Sequence, residues 1–106
     1  MNFNLKNEFP ELASEIRKLL EDDGEPKLAS QIDLLNIVDR CRCGESHCAT
    51  MYTIPKPEGS WGNGHDGLSL NVKRGMINLD TLNKEIVCIE VLDRKEVRNK
   101  LKGLLP

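Results

Sequence analysis

Apolar residues recur along the chain with two different periods. Leu12, Ile16, Leu19 and Leu20 stand at i, i+4, i+7 and i+8, the single stripe of an amphipathic helix. Pro10 suits the first turn of that helix, where a missing N–H costs nothing, and Gly24 followed by Pro26 ends it. Leu28, Ile32 and Leu35 repeat the spacing and predict a second, shorter helix from Pro26. Near Asn36 the pattern changes to strands over residues 37–41 and 48–54, the second rich in Thr and stopped by Pro55. Three further strands are predicted at 68–72, 76–81 and 85–92. The short turns Lys73-Arg74-Gly75 and Leu82-Asn83-Lys84 make them an antiparallel meander. Residues 86–92 are apolar on both faces except at Glu90, which places that strand in the middle of the sheet. Asp93 and Glu96 match the first and fourth positions of a capping box, opening a last helix that turns Val97, Leu101 and Leu104 inward. The expected fold class is α+β: N-terminal helices, a five-stranded, mostly antiparallel sheet, and a C-terminal helix packed on it.

Between residues 55 and 67 lies the one long irregular stretch, with four of the eight glycines, two of the five prolines and the only tryptophan, Trp61. Loops of this length in compact domains tend to carry function. The run Gly62-Asn-Gly-His-Asp-Gly67 has the spacing of a dinucleotide fingerprint. It lacks the preceding strand and following helix that would put a pyrophosphate on a helix N-terminus, so it is read as coincidence.

The chain of 106 residues suits a single domain, residues 1–106, and its 39% hydrophobic and 30% charged residues describe a packed globule. A net charge of -2 argues against a nucleic-acid partner. The first eight residues hold no apolar run of the signal-peptide kind and no segment approaches a membrane span, so no membrane partner and a cytoplasmic location are expected. In a reducing compartment the four cysteines are expected as thiols or metal ligands. Charge is uneven: residues 1–25 hold seven acids and three bases, and residues 94–102 hold five bases and one acid. That basic helix, which has no aromatic residue for base stacking, is read as solvated or lying near the acidic first helix.

Two groups of residues could carry chemistry. Cys41, Cys43, His47 and Cys48 put three thiols and an imidazole within eight residues around Gly44, the ligand types zinc prefers. The C-x-C spacing departs from the usual C-x2-C knuckle. Packing as free thiols competes with the metal reading, since strand alternation puts Ile37, Cys41 and Cys43 on one face and Arg40 and Arg42 on the other. Trp61, His65 and Asp66 form the second group. A loop-borne Trp can anchor a protein interface, but folding back to tether its loop is the favoured reading, since an aromatic-poor core has few other bulky groups. His65 and Asp66 could pair as base and orienter, but no nucleophile is fixed beside them.

The run Gly75-Met-Ile-Asn-Leu-Asp80, a turn, then Ile86-Val-Cys-Ile-Glu-Val-Leu-Asp93 and a closing helix is similar to segments of short bacterial proteins whose β-meander ends in a V-x-I-E-V-L-D strand. The Cys41–Cys48 run followed by a Tyr-Thr strand resembles the same group. The resemblance implies a sheet with a C-terminal helix and, carrying no catalytic motif, transfers no activity. What bears on function is the small size, the lack of a catalytic motif, the glycine-rich loop with Trp61 and the segregated charge. The expected function is therefore a non-enzymatic protein-binding domain, such as an immunity protein or inhibitor of a bacterial toxin, without a cofactor. The alternative is a small module stabilised by zinc at Cys41, Cys43, His47 and Cys48. A hydrolase or nuclease built on His47 and His65 ranks last.

Overall fold

The computed structural model describes residues 2–106. A short strand β1 (Phe3–Asn4) runs straight into the one-turn helix α1 (Leu5–Glu8), which Asn4 caps by accepting the Asn7 N–H at 3.0 Å. Helix α2 (Pro10–Asp22) follows with its proline in the first turn. Helix α3 (Pro26–Gln31) tightens into a 3-10 turn at Ile32–Leu34. The remaining elements are β2 (Asn36–Ile37), β3 (Asp39–Arg40), β4 (Met51–Tyr52), β5 (His65–Leu70), β6 (Met76–Leu82), β7 (Glu85–Leu92) and α4 (Lys95–Leu104). Strands β1 and β2 pair with each other, and the other five form an antiparallel sheet in the order β3-β4-β7-β6-β5. This is the α+β architecture the pattern predicts, with β7 at its centre. Among the described residues no helix is long and apolar enough to cross a membrane.

One face of the sheet carries the core. Met51, Ile89, Leu79 and Leu68 lie across it in register, followed by Val91, Ile77 and Leu70, and all seven belong to one cluster with Leu12, Ile16 and Leu20 of α2 and Val97 and Leu101 of α4. The other face has no helix. Only a small cluster of Tyr52, Val87 and Cys88 is buried there, against Val38, Cys41, Ile54, Leu82 and Trp61. Strand β7 serves both faces through a bulge. Asp80 pairs with Cys88 and Thr81 with Ile86, so Val87 is the extra residue and turns to the same side as Cys88.

Several local readings of the sequence change in the folded chain. Residues 37–41 are not one strand: β2 belongs to the small sheet and β3 to the large one. The break at Val38 sends Ile37 into the main core and Val38 and Cys41 to the opposite face. Alternation predicted Ile37 and Cys41 on one face because it assumed an unbroken strand. The 48–54 segment keeps only Met51–Tyr52, plus a bridge from Cys48 to Leu92. The 55–67 loop ends at Gly64, and β5 begins at His65 and stops at Leu70. Asp93 does not cap α4. It sits at φ +60°, a left-handed conformation Asp tolerates, and its N–H donates to His47 O at 2.8 Å, while Glu96 pairs with Arg74.

Arg94 locks the helices to the sheet. It is 6% exposed and donates through both terminal nitrogens to Glu15 of α2, each at 2.8 Å, and through Nε to Arg74 O at 2.9 Å. The Arg94 hydrogen bond holds the Glu15 carboxyl below its ordinary pKa. A depressed carboxylate contributes stability that is complete above the unfolded pKa and is lost as pH falls through the native value. Glu15→Gln should therefore cost about 1–3 kcal/mol at neutral pH, the worth of a hydrogen bond to a charged partner. The gap between variant and wild type in urea unfolding should narrow as pH falls below the ordinary carboxylate pKa and through the lowered native one. A gap that does not change with pH would remove the ion pair as its source.

Candidate metal centre

The segment from Cys41 to Thr50 is the connection of an antiparallel pair. Cys41 follows β3 and its N–H donates to Thr50 O at 2.9 Å, so both ends of the connection are held together by the β3–β4 ladder. Gly44, at φ +81°, makes the reversal, a conformation that residues with a Cβ rarely adopt. The returning strand is tied down three times: Cys48 N–H to Glu45 O at 3.2 Å, and the two hydrogen bonds that flank the Cys48–Leu92 bridge to β7, Ala49 N–H to Val91 O and Asp93 N–H to His47 O, each at 2.8 Å. A C-x-C pair on one limb thus faces a third cysteine on the other.

The three sulfurs of Cys41, Cys43 and Cys48 lie within 4.8 Å of one another. Tetrahedral zinc with Zn–S of ~2.3 Å needs sulfurs ~3.8 Å apart, so a contraction of about 1 Å closes the set around an ion. All four cysteines are free thiols. The structure brings together three of the four residues the sequence suggests as metal ligands. His47 is outside the group: its ring is half exposed and its Nδ1 stands 4.0 Å from Glu45 Oε2. A metal here would have three thiolate ligands and a fourth position left over.

The thiols are not equivalent. A hydrogen bond from the Glu45 backbone lowers the pKa of exposed Cys43, and burial raises that of Cys41. Burial, then the nearby Asp80 carboxylate, push Cys88 far above the ordinary thiol range. Cys88 is a packed side chain, as its place in the central strand predicts.

The cluster separates two cavities. One, of about 210 Å³, lies between the cysteine turn and α4 and is lined by Arg40, Arg42, Arg98 and Lys102 besides the three cysteines. The other, of about 370 Å³, lies over the helix-free face of the sheet, among Tyr52, Trp61, Asp80, Cys88 and Glu90.

The second group of candidate residues does not converge. Trp61 is half buried with its ring centroid 6.4 Å from that of Tyr52, tilted at 49°, so it tethers the loop to the helix-free face. His65 and Asp66 are neighbours in β5 and therefore point to opposite faces. His65 Nε2 meets Asp80 Oδ1 at 2.8 Å, while Asp66 Oδ1 accepts its neighbour Gly67's N–H. Sequence reading missed Asp80, whose link to His65 depends on the β5–β6 register, which pairs Gly67 with Asp80. It also missed Arg98 and Lys102 beside the cysteines. Their i, i+4 spacing in a basic helix was visible, but not what that side of the helix meets.

Alkylation of native protein should follow these environments. With iodoacetamide, Cys43 should react first and at a lower pH than an ordinary thiol, and Cys88 should stay unmodified until the chain unfolds. Peptide mass spectrometry over a time course checks the order, and early labelling of Cys88 would contradict the buried assignment. No protein-family model, curated protein or solved structure matches the chain.

Proposed function

We propose that this chain is a small zinc-stabilised binding module, with Cys41, Cys43 and Cys48 as thiolate ligands and the fourth position held by water or by a reoriented His47. The observation that carries the reading is the convergence of three sulfurs within 4.8 Å on one turn. Thiolates are zinc's preferred ligands, and three of them close together are a poor arrangement without an ion, since ionising one raises the cost of ionising the next. A metal would fasten the 41–48 turn to β3 and β4 and link binding to stability, because the unfolded chain has no preformed site.

Protein purified without chelator should carry one zinc per chain and lose it on Cys43→Ser or Cys48→Ser. Chelation should lower the melting temperature of the wild type and leave the metal-free variants unchanged. Wild-type protein with no bound metal, and with a melting temperature indifferent to both zinc and chelator, would overturn the reading.

A second reading, a non-enzymatic domain that occludes a protein partner as an immunity protein occludes its toxin, is favoured by the edge strand β5. It pairs on one side only and exposes His65, Asp66, Gly67 and Ser69 beside the end of the Trp61 loop. An unpaired edge can accept a partner's strand. Co-expression with the product of the adjacent gene tests this. A stable complex weakened by Trp61→Ala, by roughly 2 kcal/mol as for an interface anchor, supports it. A Trp61→Ala protein that loses stability while any such complex keeps its affinity makes Trp61 a tether alone.

A further inference from the structure

We propose that the cavity between the cysteine turn and α4 is a binding site for a small, multiply charged oxyanion, with phosphate as its chemical type. The inference goes beyond the zinc reading and stands without it. The cavity walls supply four cations, Arg40, Arg42, Arg98 and Lys102, against one carboxylate, Glu45.

Three other basic residues on and around α4 are matched, while Lys95 is exposed to solvent. Arg94 is paired with Glu15, Lys100 with Glu8, and Arg74 with Glu96. Among the described residues no carboxylate reaches Arg98 or Lys102, although Arg98 is half buried. No buried side-chain nitrogen or oxygen lacks a partner among the described residues, so water serves Arg98 and Lys102, and an anion in the cavity would replace that water with a charged acceptor.

Arg40 and Arg42 are partly engaged. Arg40 donates through Nε to Leu105 O and through Nη1 to Cys41 O, and Arg42 donates to Pro106 O and Asp39. Those contacts do two things. They fix both side chains at the rim with further N–H groups unspent, since each guanidinium has five. They also occupy carbonyls beyond the C-terminal end of α4, whose dipole would otherwise repel an anion. The volume of about 210 Å³ is smaller than the roughly 300–1,000 Å³ of pockets for drug-sized ligands, so a phosphate group fits and a nucleotide does not. The wall charges favour a divalent anion over a monocarboxylate. With zinc on the three thiolates, a group of net charge −1, the cavity remains positive.

The test is titration of the reduced protein, metal-free and zinc-loaded, with inorganic phosphate at constant ionic strength, followed by amide chemical shifts. The expected result is saturable change confined to residues 40–45 and 98–102. The affinity should fall at least ~10-fold in an Arg98→Gln/Lys102→Gln double variant, the loss expected when a hydrogen bond to a charged group is removed. The variant's unaffected resonances report that it folds. O-phosphoserine in a parallel titration distinguishes the sources. Tighter binding than phosphate assigns the site to a phosphomonoester carried on a larger molecule, and equal or weaker binding assigns it to the free ion. Three results would each overturn the proposal: shifts that never saturate and spread over all basic residues, affinity unchanged in the double variant, or acetate binding as tightly as phosphate.

Discussion

Strand β7 has to bury both of its faces, although helices cover only one side of the sheet. Ile89 and Val91 meet the helices, while Val87 and Cys88 need cover on the other side. The bulge at Val87 turns two consecutive residues to that side and so concentrates its apolar demand at one end. The chain meets that demand with what is nearest: Tyr52 from β4, Val38 and Cys41 from the kinked segment before it, and Trp61 from the long loop. The break between β2 and β3, the course of the loop and the position of the first cysteine all follow from covering those few residues.

The cysteine turn inherits its geometry from the same strand. Cys48 bridges to Leu92, His47 accepts the Asp93 N–H, and Cys41 rests on the cluster around Cys88. Both limbs of the turn are therefore referenced to β7, which is in turn anchored on the helices through the core. Arg94, just past the end of β7, closes the circuit by holding α2 through Glu15. A metal or an anion at the turn would be bound by side chains whose backbones are positioned by the best-packed part of the molecule, which lowers the ordering cost of binding.

The distribution of charge has a similar logic. Acids on α1 and α2 and bases near α4 pair across the helix layer, at Glu15 and Arg94 and at Glu8 and Lys100. The basic stretch of residues 94–102 thus divides by what lies next to each residue: Arg94 precedes the helix as its N-cap residue, and Arg98 and Lys102 stand one turn apart within it. Arg94 and Lys100 answer the acidic helices, and Arg98 and Lys102 are left facing the cysteines. A count of charges along the sequence contains both groups but cannot separate them.

Much of the fold was legible because periodicity is a local property. The α2 stripe, the strand at residues 85–92 and its central place, the antiparallel meander and the inward face of α4 are all written in spacing and turn chemistry. The three clustered thiols were legible as a group, because a connection closing on itself at Gly44 brings near neighbours together. What failed were inferences requiring one stretch to continue unchanged. Residues 37–41 read as one strand until two sheets competed for them, and Asp93 read as a helix cap until His47 O took its N–H. The environment of each candidate was set at longer range. His65 found Asp80 rather than Asp66 because alternation in β5 separates neighbours and the β5–β6 register unites distant residues. Residue types and periods were determined by the sequence itself; which thiol is buried, which imidazole leaves the metal group and which arginines face the cavity depended on contacts between elements far apart in the chain, and these exist only once the sheet has formed.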